Sequence, residues 1–290
     1  MQVLLAEAMG FCFGVRDALA AAEGTLHPET VTIHGELVHN ERVQSRLGAL
    51  GFRSTSEDRR TEIPDTPLVM ITAHGVSDLE RRRLQQSGKQ LIDTTCPLVR
   101  RVHLAAQLLA EEGRHVLIIG RPGHVEVRGI LEDLPSGEVV EEAAAVSTYP
   151  HRRLGVVCQS TTPPRVAAEI NLAIRRANPD ADIRFIDTIC QPTRDRQEAV
   201  VRLLSRVDAM VVVGGKNSNN TRELAALCRD HGVPAHHVQS AADIDVAWFR
   251  DCRVIGLTAG TSTLDETIDD VHRALVAIPA ATRGTLMITH

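Results

Sequence analysis

Three stretches of this chain repeat one pattern: an apolar strand, a cysteine at the turn, and a helix opening directly behind it. The fullest copy is Leu91-Ile-Asp-Thr-Thr-Cys-Pro-Leu-Val-Arg-Arg-Val-His103, in which Pro97 fits the first helical position. Residues 4–16 carry the same pattern around Cys12, and residues 185–194 carry it around Cys190. A threefold repeat with one thiol per unit is the simplest chain that writes this pattern three times.

The spacing of the polar segments supports the repeat. Cys12 precedes His39 by 27 residues, Cys96 precedes His124 by 28, and Cys190 precedes Ser218 by 28. A second set lies farther on: His74 is 62 residues after Cys12, Ser160 is 64 after Cys96, and Ser262 is 72 after Cys190. Each of these segments follows an apolar strand, as His74 follows Leu68-Val-Met-Ile and Ser218 follows Ala209-Met-Val-Val-Val213. Strands alternating with helical patterns predict an α/β fold of three small parallel-sheet domains. The expected partition is residues 1–95, 96–189 and 190–290, the last with a C-terminal tail. Ligands of parallel sheets gather beyond the carboxyl ends of the strands. Around a pseudo-threefold axis, the segments of all three repeats would therefore meet in one central pocket.

Composition removes several classes of function. A net charge of −5 with no basic block argues against nucleic acid, and seven aromatics among 290 residues give no stacking platform for single strands. No apolar run reaches the roughly 20 residues of a membrane span, and no cleavable leader is apparent. The expectation is a cytoplasmic protein without a membrane partner, whose thiols stay reduced. Six cysteines without a Cys-x-x-Cys pair exclude a zinc ribbon or a thioredoxin-type motif.

Cys12, Cys96 and Cys190 each stand at a helix N-terminus, where the macrodipole favours a thiolate. Three thiolates converging in a reducing compartment suggest a soft-metal or iron–sulfur centre. A cubane takes four thiolates, so three would leave one iron open to substrate. Cys158, Cys228 and Cys252 lie outside the repeat positions and read as structural. His39, His74, His124, Ser218, Asn219, Asn220 and Ser262 are neutral or weakly basic donors with helix N-termini behind them, a set suited to a phosphate or diphosphate. Residues 121–129 read as a loop, and Glu126 is its one acid. A solvated carboxylate is the common role for such a residue. The functional one is a proton donor to a leaving hydroxyl, with Ser160 or Thr161 as its hydrogen-bond partner. Gly214-Gly-Lys-Asn-Ser lacks Walker A spacing, so no nucleotide is expected.

These residues resemble the 4-hydroxy-3-methylbut-2-enyl diphosphate reductase family. The motifs are Gly-Phe-Cys12-Phe-Gly-Val, Gly-Glu-Leu-Val-His39-Asn, Ala-His74-Gly-Val-Ser, Asp-Thr-Thr-Cys96-Pro-Leu-Val, Gly-His124-Val-Glu126-Val, Gln159-Ser-Thr, Arg194-Asp-Arg-Gln-Glu-Ala-Val, Gly-Lys-Asn-Ser218-Asn-Asn and Thr-Ala-Gly-Thr-Ser262. They run in order from Gly10 to about Leu275. The resemblance implies a trefoil of three α/β domains around a [4Fe–4S] cluster held by Cys12, Cys96 and Cys190. It implies that the three histidines, Ser218, Asn219, Asn220 and Ser262 hold the diphosphate of an allylic substrate. It further implies that Glu126, with Ser160, serves proton delivery to the substrate hydroxyl. Electrons would come one at a time from ferredoxin or flavodoxin, and the products would be isopentenyl and dimethylallyl diphosphate.

The chain departs from the family pattern at a few positions. Val125 stands where the family usually has Pro, Arg128 and Ile130 where it often has Glu and Thr, Ser160 where it has Thr, Asn219 where it has Ser, and Phe13 where Ala is common. These departures set up an alternative, an iron–sulfur, diphosphate-binding sensor of the same fold without turnover. A third reading makes one cysteine the nucleophile of an acyl- or phosphoryl-transfer enzyme.

Overall fold

The structure is a computed structural model that describes residues 1–279. In chain order the first segment holds β1 (Gln2–Leu5), α1 (Phe13–Glu23), β2 (Val31–Ile33), α2 (Glu41–Ala49), β3 (Arg53–Ser54), β4 (Leu68–Ile71), α3 (Asp78–Gln86) and β5 (Gln90–Asp93). The second holds α4 (Pro97–Glu111), β6 (His115–Ile119), α5 (Val125–Glu132), β7 (Gly137–Val140), β8 (Arg153–Cys158), α6 (Pro164–Ala177) and β9 (Asp182–Phe185). The third holds α7 (Gln191–Leu204), β10 (Ala209–Val213), α8 (Asn219–Asp230), β11 (Ala235–Val238), β12 (Val254–Ala259) and α9 (Asp265–Val276). The tail expected from 280 to 290 lies outside the described residues.

The fold is α/β with three four-stranded parallel sheets, ordered β3-β2-β4-β5, β7-β6-β8-β9 and β1-β12-β10-β11. The expected partition needs one correction. β1 does not join the sheet of residues 12–95 but pairs with β12, Gln2 opposite Val254. The first strand of the chain thus closes the last sheet, as β5 and β9 close the other two. The repeat is circularly permuted, because an edge strand pairs wherever a complementary strand is exposed, whatever their separation in sequence. By compactness the chain divides into residues 12–194 and residues 1–11 with 195 onward.

Within residues 12–194 the second sheet shows why these strands form. Val116 and Ile118 of β6 pack with Val102, Ala106 and Leu109 of α4, and with Val127 and Ile130 of α5. The alternate residues Leu117 and Ile119 pack with Ala167, Ile170 and Ile174 of α6. Both faces are covered, so β6 reads as a continuous apolar run. Each such large side chain contributes roughly 1.5–3 kcal/mol on burial. In the other unit, β10 sends Val211 and Val213 toward Ile268, Val271 and Leu275 of α9, and sends Met210 and Val212 toward Ala199, Leu203 and Leu224.

The helices start where the caps predict. Ser77 accepts from Glu80 N at 3.0 Å and opens α3. Pro97 opens α4, with Cys96 at the N-cap. β3, β7 and β11 carry no strong strand pattern and went unassigned in the sequence; all three are short outer strands that a parallel neighbour completes. The ends of β2, β4 and β5 lead to His39, His74 and Cys96, and those of β6, β8 and β9 lead to His124, Ser160 and Cys190. Each of these sheets therefore delivers two polar side chains from its central strands and one thiol from its edge. No described helix is long and apolar enough to cross a membrane.

Candidate active site

Cys12, Cys96 and Cys190 are all free thiols and all belong to the compact unit of residues 12–194. Gly14, two residues past Cys12, lies against Cys96: a Cβ on Gly14 would stand 2.5 Å from the Cys96 Sγ. Cys96 N donates to Ala73 O at 3.1 Å, which seats its turn beside His74. Cys190 N donates to Ser160 O at 2.9 Å, which seats the third turn beside the Ser160 segment. The Cys190 thiol also meets Thr193 Oγ1 at 3.1 Å. Burial pushes the Cys190 thiol up to about 11, opposed by the Thr193 hydrogen bonds, with the charges of Glu126 and Cys12 adding to the rise. Cys96 is raised by burial first, opposed by the N–H groups of Leu98 and Val99 and reinforced by Cys12 and Glu126. The three thiols and Glu126 thus share one electrostatic environment.

Glu126 lies in the first turn of α5 and is 1% exposed. Its Oε1 accepts from Ser160 N at 2.7 Å and its Oε2 from Ser160 Oγ at 2.9 Å. Burial lifts its pKa from the ordinary 4.5 to about 7, even though both Ser160 bonds and the nearby His39 pull it down. A carboxyl so placed holds a proton near neutrality. His124 caps the same helix, its Nδ1 accepting from Glu126 N at 3.2 Å.

The three histidines form one cluster. His39 stacks on His74 with ring centres 4.2 Å apart, and His124 stands edge-on to both, at 5.4 Å and 5.7 Å. Glu36 Oε2 holds His39 Nδ1 at 2.8 Å. His74 is kept well below the usual histidine range by burial first, then by His39, His124 and Arg60. It is neutral, and its buried Nδ1 has no hydrogen-bond partner. Such a group is satisfied by a ligand atom.

In the other unit, Ser218 caps α8 by accepting from Thr221 N at 3.3 Å. Asn220 Oδ1 accepts from Thr261 N at 3.1 Å, which ties the Ser218 segment to the one carrying Ser262. Ser218, Asn219, Asn220 and Ser262 are all buried, and Asn220 Nδ2 has no partner.

Residues 3–276 match the family model described as LytB protein. The chain belongs to the LytB family. It is 34% identical to the 4-hydroxy-3-methylbut-2-enyl diphosphate reductase of Anaeromyxobacter sp. (strain K), over 96% of this chain and all of that protein. It is 35% identical to the protein of the same name from Aquifex aeolicus, over 93% of this chain and 94% of that one. The solved E-1-hydroxy-2-methyl-but-2-enyl-4-diphosphate reductase from Plasmodium falciparum superimposes with a TM-score of 0.88 at 27% identity, over 97% of this chain and 89% of that one.

Against the expectations for this LytB chain, one placement is corrected. Glu126, Val125 and the residues after them are not in a loop: α5 starts at Val125, and the carboxyl is buried in its first turn rather than solvated. Asn219 and Asn220 lie in the first turn of α8. Of the cysteines outside the repeat, Cys158 is buried at the end of β8, and Cys228 donates its S–H to Leu224 O at 3.1 Å. Two contributors escaped notice in the sequence. Glu36, which orients His39, lies three residues before it, and Thr193, which meets Cys190, lies three after that cysteine. That spacing is the only local signal for either.

Among the described residues, no three His, Cys, Asp or Glu side chains converge tightly enough for a single ion. A cubane places each thiolate on a different iron, so its ligands stand wider apart than those of one ion. The donor set fits such a group chemically. The Cys96 and Cys190 thiols are raised by burial first and further by Cys12 and Glu126, and iron would supply the opposing positive charge while deprotonating them. Gly14 leaves the room that the Cys96 sulfur needs.

Proposed function

We propose that this LytB protein reduces 4-hydroxy-3-methylbut-2-enyl diphosphate to isopentenyl and dimethylallyl diphosphate, the last step of the methylerythritol phosphate route to isoprenoids. Cys12, Cys96 and Cys190 hold a [4Fe–4S] cluster, which when bound supplies electrons and a Lewis-acidic iron. The net change consumes two electrons and two protons, breaks one C–O bond, and releases water. Ferredoxin or flavodoxin is the proposed one-electron donor.

The chain's own residues supply the rest. Glu126 gives a proton to the departing hydroxyl, which turns a poor leaving group into water. Ser160 holds both carboxyl oxygens, so the proton stays aimed at one place. Burial raises that carboxyl to about 7, so a substantial share of it carries the proton at neutral pH. His39, His74 and His124 hold diphosphate oxygens, and an oxygen there would satisfy His74 Nδ1. Ser218, Asn219, Asn220 and Ser262 are proposed as further diphosphate donors on their own chemistry, a capped helix N-terminus with an unpartnered amide N–H.

The observation that carries the reading is a wholly buried carboxyl, fixed by Ser160, in electrostatic contact with two of three thiols that end equivalent strands. Nothing favours the sensor alternative. Arg128 turns to Glu57 and Glu132, at 3.8 Å and 3.9 Å, and Ile130 packs in the core. The test is anaerobic purification with iron and sulfide analysis, then turnover with a reduced one-electron donor. A brown protein that forms both products is expected. A protein colourless after reconstitution, or a brown one without turnover, would overturn the proposal.

A further inference from the structure

Glu36 links two of the three clustered histidines. Its Oε2 holds His39 Nδ1 at 2.8 Å. His74, lowered by burial first and then by the charges of His39, His124 and Arg60, is pulled the other way by the Glu36 backbone as a hydrogen-bond partner. The two turns are also tied directly, since Ala73 N donates to Leu37 O at 3.2 Å. Whatever fixes Gly35 and Glu36 therefore sets both rings. The proposed reaction gives the residues that do so no role.

That fixing comes from residues 57–60, in the connection between β3 and β4. Glu57 Oε1 accepts from Glu36 N at 2.9 Å. Its Oε2 pairs with Arg60 Nε at 2.9 Å. Arg60 is 8% exposed, and its Nη2 donates to Thr72 Oγ1 at 3.4 Å, two residues before His74. On its other side the guanidinium lies against Gly35, whose φ is +107°. A Cβ at Gly35 would stand 2.2 Å from Arg60 Nη2 and 2.5 Å from its Nε, so only glycine leaves the space. One guanidinium thus sits between the turn carrying Glu36 and the strand end that leads to His74.

The segment bearing Arg60 is held in its own right. Arg83 of α3 donates to Arg60 O at 2.9 Å and to Thr61 O at 2.6 Å, and both Glu80 oxygens hold Arg83 at 2.7 Å. From α5, Arg128 approaches Glu57 Oε2 at 3.8 Å. Where the family often has Glu, this chain therefore sets a cation facing Glu57. Arg60 also carries a permanent charge whose field reaches the His74 ring. The field that disfavours a proton there favours an anion.

We infer that Glu57 and Arg60 are positioning residues for the proposed diphosphate site: through Glu36 they set the orientation of His39 and His74, and Arg60 adds a fixed positive charge behind them. The inference rests on the reductase reading for the identity of the anion and goes beyond it in naming residues that act through the histidines.

The test reads histidines and ligand separately on the anaerobically purified holoenzyme. R60M keeps the bulk and removes the fork and the charge. It should shift the imidazole NMR signals of His39 and His74, assigned with H39Q and H74Q, and leave those of the stacked pair His115 and His151 in place. It should raise the KM for substrate and the Kd for inorganic diphosphate about tenfold, with kcat within about twofold because Glu126 and Ser160 are untouched. E57A alters a side chain that is 27% exposed and should act in the same direction, so the inference is judged even if R60M does not fold. R128E sets a second carboxylate against Glu57 and should raise the same Kd about threefold. Unmoved His39 and His74 signals in a folded variant, or a loss of kcat at constant KM, would overturn the inference. A lowered denaturation midpoint with Kd and KM unchanged would reduce the pair to holding the fold and overturn it too. If the wild type binds no diphosphate yet R60M shifts both rings, the positioning stands and the reductase reading falls.

Discussion

Glu126→Gln separates two consequences of one buried carboxyl. Gln keeps the shape: its Oε1 still accepts from Ser160 N, and its amide group donates to Ser160 Oγ, which can accept. What the substitution removes is the proton and its titration. Glu126 has a folded pKa of about 7 against an ordinary 4.5. A raised carboxyl contributes stability that is fully present below about 4.5 and is lost as pH rises through about 7, because the unfolded chain ionises first. The whole shift corresponds to roughly 3 kcal/mol at about 1.4 kcal/mol per unit, of which about 2 kcal/mol is lost between about pH 5.5 and about pH 8. Urea denaturation of cluster-free wild type and variant at those two values gives the difference. The wild type should fall relative to the variant by about 2 kcal/mol on going to the higher pH. In the holoenzyme the same variant should lose about 10²–10⁴-fold in kcat with little change in KM. A stability gap that ignores pH, or a variant with wild-type turnover, would refute the assignment of a buried acid.

Three further outcomes follow from the geometry. Alanine at Cys12, Cys96 or Cys190 should in each case abolish iron retention and activity, whereas Cys228→Ala should keep the iron and cost about 1–2 kcal/mol in denaturation; one severe and two mild losses would point to a nucleophile instead. Gly14→Ala should lower iron content sharply, since its Cβ would meet the Cys96 sulfur at 2.5 Å, and full iron occupancy in that variant would show that the turn yields. Asn40→Ala, which removes the acceptor for Val43 N at 3.2 Å, should cost about 1 kcal/mol and raise the inhibition constant for inorganic diphosphate through the neighbouring His39; an unchanged constant would separate the cap from the histidine cluster.

The sequence determined what depends on local chemistry. The apolar runs at 68–71, 115–119 and 209–213 are buried on both faces and had to be central strands. The cysteine, the histidines and the hydroxyl residues behind each strand follow from the same repeat, which offered Ser160 or Thr161 as the partner of Glu126 and left the choice to the tertiary structure. Tertiary structure alone decided the rest. Gln2–Leu5 could not announce its partner, because β12 lies some 250 residues away and parallel pairing leaves no local mark. β3, β7 and β11 are too short and too polar to declare themselves without the neighbour that pairs with them. Burial is likewise a property of the whole: residues 121–129 read as a loop, yet Glu126 is 1% exposed and its carboxyl is bound by Ser160, 34 residues further along the chain. That burial, which no residue near it in sequence supplies, is what turns an ordinary carboxylate into an acid that keeps its proton near neutral pH.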